Sequence, residues 1–109
     1  MIKAPSLLLA IVVLAAVAPV RAQDAAAGAK KAAMCIGCHD IPRYQTSFPE
    51  VYKVPKIGGQ NAAYLVAALT EYKKGERRFP TMRAIASSLS DKDMADLAAY
   101  YEKLGQGSV

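Results

Sequence analysis

Cys35-Ile36-Gly37-Cys38-His39 decides how the rest of this 109-residue chain is read. Two thiols three positions apart, with an imidazole directly after the second, form the signature of covalent haem attachment. On one helical turn the two sulfurs reach the two vinyl groups of a single porphyrin, and the same turn aims the His39 ring at the iron. His39 is the only histidine in the chain, so no other imidazole competes for that position. Three other uses of these residues are weaker. A thioredoxin-like redox pair belongs in a βαβ context, and none is visible. A zinc site asks for four nitrogen or sulfur ligands, against two cysteines and one histidine here. A structural disulfide accounts for Cys35 and Cys38 but leaves His39 without a reason.

The N-terminus places that chemistry outside the cytoplasm. Lys3 supplies a positive start, Leu7 to Ala18 is an unbroken apolar run, and Val20-Arg21-Ala22 is an acceptable small-residue cleavage site before Gln23. The run is short of the ~20 residues that a membrane-spanning helix needs, and Pro5 and Pro19 stand at its ends. Residues 1–22 therefore read as a cleaved signal peptide; the alternative is an uncleaved N-terminal anchor. No lipobox cysteine is present at the cut. Residues 23–109 form one small domain with no membrane span of its own.

Cleavage removes Lys3 and Arg21, so the formal net charge of +5 falls by two. The computed isoelectric point of 9.3 does not argue for a nucleic-acid partner, because export takes the chain away from one. A domain this small buries a thin core and needs a staple. A haem held at three points would serve, and the haem-free chain is expected to be largely unfolded.

From Gln23 onward the pattern is helical, with no sustained period-two alternation. Asp24 can cap a first helix running through the alanines to Met34, with Gly28 as an unfavourable residue inside it. Asp40 to Val54 is a loop with Pro42 and Pro49, and its Tyr44, Phe48 and Tyr52 are expected either to fold over one flank of the cofactor or to pin the loop itself. A second helix spans about Ala62 to Lys74, with Tyr64, Leu65, Ala68, Leu69 and Tyr72 on one stripe and Gly75 as its stop. A short helical stretch from Met82 to Leu89 follows. Ser90 then caps a last helix in which Leu97, Tyr100, Tyr101 and Leu104 share a face.

These features together resemble the class I cytochromes c, and within them the small bacterial cytochrome c4/c553-like mono-haem group. The resemblance covers Asp24 to Leu104. It is carried by Gly28, the Cys35–His39 pentapeptide, Pro55 with Gly59-Gln60, Tyr64-Leu65, Met82, and Leu89-Ser90 with Leu97-Ala98-Ala99-Tyr100-Tyr101. It implies an all-α fold of four to five short helices around one haem c bound through two thioethers. It further implies that Gly28 accepts Tyr100 where the first and last helices cross. Pro55 would offer its backbone carbonyl to the His39 ring, which fixes the ring and raises its basicity as a ligand. Two features depart from the group: Asp40 stands where glycine is frequent, and the loop from Asp40 to Val54 is longer than usual.

The sixth iron ligand is expected to be Met82. Of the four methionines, Met1 leaves with the signal, Met34 adjoins Cys35 on the wrong side of the ring, and Met94 suits the core of the last helix. Met82 stands in a loop after Pro80, where the family's axial methionine would be; its plain alternative is packing with Ile85 and Leu89. A His/Met-ligated iron raises the reduction potential and leaves no open position for substrate. The expected function is periplasmic outer-sphere transfer of single electrons between respiratory or dehydrogenase partners, either as a monomer or as a subunit of a complex. No catalytic constellation is apparent. If Lys53, Lys56, Lys73, Lys74, Arg77, Arg78 and Arg83 ring the exposed haem edge, they would steer the protein to an acidic docking patch on a redox partner; the plain alternative for each is an ordinary solvated surface. Alternatives are a haem enzyme subunit or gas-binding sensor with a labile sixth ligand, and a haem-free domain closed by a Cys35–Cys38 disulfide.

Overall fold

The computed structural model describes residues 23–105. The expected signal peptide at 1–22 lies outside them. Five helices and one very short hairpin follow in order: α1 (Ala25–Lys31), α2 (Ala33–His39), β1 (Gln45–Thr46), β2 (Tyr52–Lys53), α3 (Ala62–Lys74), α4 (Pro80–Ser87) and α5 (Asp91–Leu104). The fold is the expected helical one, with one addition: β1 and β2 pair antiparallel, Gln45 opposite Lys53 and Thr46 opposite Tyr52.

Asp24 caps α1, its carboxylate accepting the Ala27 N–H at 3.0 Å. The first helix is not continuous to Met34. It closes at Ala32, and a second helix starts at once and carries the cysteines through to His39. Ala32 is buried in the core at this joint. α1 packs along α5, and α3 packs on both α5 and α4.

The contact between α1 and α5 is closer than the glycine–aromatic crossing expected. A Cβ on Gly28 would stand 2.0 Å from the Asp96 carbonyl oxygen and 2.8 Å from the Tyr100 Cβ, so the backbone of α5 itself occupies the space. Tyr100 adjoins the crossing, but Asp96 is its nearest point. A second backbone approach joins Gly59 to Gly105 at the end of α5, where the Gly59 N–H also donates to the Tyr101 carbonyl at 2.7 Å.

Leu65, Leu89, Met94, Leu97, Ala98 and Tyr101 make the centre of the core, with Ala32 and Ala62. Met94 is 2% exposed, in keeping with a packing role. Asp96 of α5 is a charged residue only 1% exposed. Its carboxylate accepts the Asp24 N–H at 3.0 Å, Lys31 Nζ at 2.7 Å and Lys92 Nζ at 2.8 Å, which supply the partners a buried charge requires. The Ala62 N–H at the start of α3 donates to the Glu102 carboxylate, so a second acid of α5 satisfies an orphan helix donor.

Candidate haem site

One cleft gathers the residues that the sequence singles out. Cys35, Cys38 and His39 from α2, Pro55 from the segment after β2, and Met82 from α4 all line it. The stripe of Tyr64, Leu65, Ala68, Leu69 and Tyr72 forms its α3 wall, and Leu97, Ala98 and Tyr101 of α5 line the same cavity. Hydrocarbon dominates these walls, which suits a large flat apolar guest.

His39 is the last residue of α2 and is half-buried. Its Nδ1–H donates to the Pro55 carbonyl at 2.7 Å. That bond fixes the tautomer: the proton is on Nδ1, and Nε2 keeps its lone pair available for a metal. Cys35 and Cys38 are one turn apart on the same helix, and neither is in a disulfide. Burial pushes the Cys35 thiol up, and Asp40 and Cys38 add to the effect against a lowering hydrogen bond from Tyr101. A thiol held protonated is the opposite of the activated thiolate that a redox CxxC pair uses.

Met82 sits in the first turn of α4, not in an irregular loop. Pro80 occupies the start of the helix, where its missing N–H is no loss, and this draws the helix two residues upstream of the expected start. Met34, set aside on sequence grounds, also lines the cleft, with 52% of its surface exposed.

The loop aromatics divide. Tyr52 lines the cleft; Phe48 does not and is 86% exposed at the hairpin tip; Tyr44 is half-buried outside it. Phe79, Thr46 and Arg77 are cleft residues that the sequence did not reveal. Only the spacing of the aromatics in the loop hinted at Tyr52, and nothing local marks the others. Arg77 donates to Glu71 at 2.6 Å and to the Tyr64 hydroxyl at 3.3 Å, with its guanidinium 5.8 Å and 5.5 Å from the ring centres of Tyr64 and Tyr72. The Glu71 carboxylate holds it firmly charged. Tyr101 is buried and donates from its hydroxyl to Asp40 at 3.4 Å, so the residue that departs from the family's glycine has a partner in the core. Burial first, then the nearby Cys35 and Asp40, push the Tyr101 hydroxyl well above its usual range.

Paired thiols on one turn, an imidazole with a free Nε2, a thioether from another helix and an apolar cleft between them fit a haem by their chemistry. Residues 25–105 match the Cytochrome c family. The chain is 39% identical over 80 residues to cytochrome c4 of Pseudomonas aeruginosa, an alignment covering 73% of this chain and 38% of the relative. It is 39% identical over 83 residues to cytochrome c-554(548) of Halomonas halodenitrificans, covering 73% of this chain and 95% of that one. The thiosulfate dehydrogenase electron acceptor of Stutzerimonas stutzeri is 33% identical over 78 residues, covering 71% of this chain and 35% of the relative. The chain thus spans little more than a third of the cytochrome c4 it matches, but nearly all of the shorter relative. Family membership brings with it a covalently bound haem c, for which Cys35 and Cys38 have the required spacing. By its helical architecture and by this match, the chain belongs to the cytochrome c family, as a class I c-type cytochrome resembling cytochrome c4.

Proposed function

We propose that this protein is a periplasmic mono-haem electron carrier that passes single electrons between redox proteins. The supporting observation is the His39–Pro55 hydrogen bond in a cleft that also holds Cys35, Cys38 and Met82. In this reading Cys35 and Cys38 would hold the haem by thioether bonds, and His39 Nε2 and Met82 Sδ would be the iron's protein ligands. The haem supplies one-electron exchange at iron. The protein's own contribution is positional: Pro55 keeps the imidazole from rotating, the α3 stripe and Leu97 exclude water from the buried side, and Met82 comes from a helix already packed on α3. Ligands that stay in place would keep reorganisation small, and a thioether from Met82 would favour the reduced state.

Among the described residues no helix is long and apolar enough to cross a membrane. The docking face comprises the exposed Lys53, Lys56, Lys74, Arg78 and Arg83, none of which forms an ion pair among the described residues. Arg77 and Lys73 are drawn from the expected set into internal bonds, with Glu71 and the Leu89 carbonyl respectively. The Stutzerimonas stutzeri relative, a thiosulfate dehydrogenase electron acceptor, makes an inorganic-sulfur dehydrogenase one class of donor to try.

The test is made on protein secreted by a strain able to attach haem. Its mass should exceed the polypeptide mass by one haem, and its reduced spectrum should be low-spin. Met82→Ala should become high-spin and bind carbon monoxide rapidly. An unchanged low-spin spectrum in that variant would remove Met82 from the axial position, and a colourless product would end the whole reading.

A further inference from the structure

The hairpin places the Tyr52 ring on Phe79, with ring centres 4.4 Å apart and planes inclined by 29°. Phe79 is the N-cap residue of α4, and its carbonyl accepts the Arg83 N–H at 3.0 Å, closing the turn that contains Met82. This helix start has little else to hold it. Phe79 has no side chain able to cap, so no side-chain hydrogen bond closes the first turn. Upstream, Arg77 is tied to α3 through Glu71 and Tyr64, so the Phe79 ring is the lateral hold between that tie and Met82.

The hairpin is itself well anchored. Thr46 Oγ1 donates to the Glu50 and Tyr52 carbonyls at 3.1 Å and 3.3 Å, and the Val54 N–H donates to the Tyr44 carbonyl at 3.0 Å. Its base is closed by the His39–Pro55 bond. Tyr52, Phe79, Thr81 and Met82 face the same cleft.

From this arrangement we infer that Tyr52 is a positioning residue for Met82: the hairpin is a strap that, through the Tyr52–Phe79 stack, holds the first turn of α4 against the cleft and keeps the thioether on the iron. The inference rests on the reading of Met82 as axial ligand. An aromatic pair of this kind contributes enough beyond area burial to change an opening equilibrium by about three- to tenfold. Competing ligands should therefore enter that much faster when the stack is lost.

The experiment measures the rate of carbon monoxide binding to the reduced holoprotein. Tyr52→Ala and Phe79→Ala should each raise it about three- to tenfold, and the double variant should do no more than the larger single one. Tyr52→Phe keeps the stacking face and should behave as wild type. Met82→Ala sets the upper limit. If Met82→Ala binds quickly while Tyr52→Ala stays as slow as wild type, the strap is refuted and the ligand assignment stands. Additive effects of Tyr52→Ala and Phe79→Ala would likewise refute it, because the two rings would then act separately. If Met82→Ala is itself as slow as wild type, the ligand assignment goes and the strap goes with it.

Discussion

A methyl group added at position 28 would need space already taken by the Asp96 carbonyl oxygen, 2.0 Å away, and that oxygen belongs to a helix backbone with no easy retreat. At position 37, by contrast, nothing lies within 4 Å of the added carbon. Both glycines are helical, so intrinsic propensity favours alanine at each by up to ~1 kcal/mol. The same substitution should therefore have opposite outcomes. Gly28→Ala should lower the denaturant stability of the holoprotein by about 3 kcal/mol or prevent its recovery, whereas Gly37→Ala should leave it unchanged or slightly raised. Single residues were legible in sequence where their type is unusual for their place. Gly28 in an alanine-rich helix is such a case, and so is a lone histidine after two cysteines. Asp96 was not legible, since its burial depends on Lys31 arriving from a helix 65 positions away.

At the level of elements, α1 and α5 are fastened by charge as well as by close packing. Lys31 lies between Asp93 at 2.8 Å and Asp96 at 2.7 Å, and Lys92 adds a second bond to Asp96 from within α5. Lys31, with help from Ser90, pulls the Asp93 carboxyl down to about 2 from an ordinary 3.8. Lys31, then Lys92 and the Asp24 N–H, hold Asp96 lower still. A carboxyl depressed by folding contributes its stability in full above its unfolded value, near pH 4, and loses it as pH falls toward and below 2. Asp96→Asn should thus be less stable than wild type at pH 7, and the gap should narrow as the pH is lowered through that window. Denaturant midpoints of both proteins at a series of pH values measure it; a gap independent of pH would assign Asp96 a packing role alone. The ends of α3 and α5 could be read from the chain because Asn61, Gly75 and Ser90 act locally. The hairpin could not, because two-residue strands are too short to show a period, and α4 starts before Met82 because Pro80 serves as its first helical residue.

For the molecule as a whole, the cleft surface is also core surface. Leu65, Leu89, Leu97, Ala98 and Tyr101 belong to the buried cluster and line the cavity at the same time. Withdrawing the haem would leave much of the interior facing water, in a domain whose core is thin already. The haem-free chain, expressed without export or haem attachment, should show weak helical circular dichroism and no cooperative thermal transition. A native-like cooperative melt would mean that the helices need no guest. The overall architecture was legible because one pentapeptide implies a guest of known shape, around which helices of these lengths have few ways to pack. How the hairpin meets α4 was not legible, since it depends on two rings, Tyr52 and Phe79, far apart in sequence.

The chain between His39 and Pro55 departs and returns at two points already joined by a 2.7 Å bond. It is in effect a closed handle on the molecule, and its length is nearly independent of the geometry at its base. Doubling such a loop costs only about 0.6 kcal/mol of closure entropy. A peptide tag or affinity epitope spliced between Ser47 and Phe48, at the bare tip beyond the Thr46–Tyr52 pairing, should be carried with the imidazole orientation intact, and an unaltered reduction potential in the tagged protein would show it. The same freedom gives this chain a place to acquire a new recognition surface without rebuilding the site.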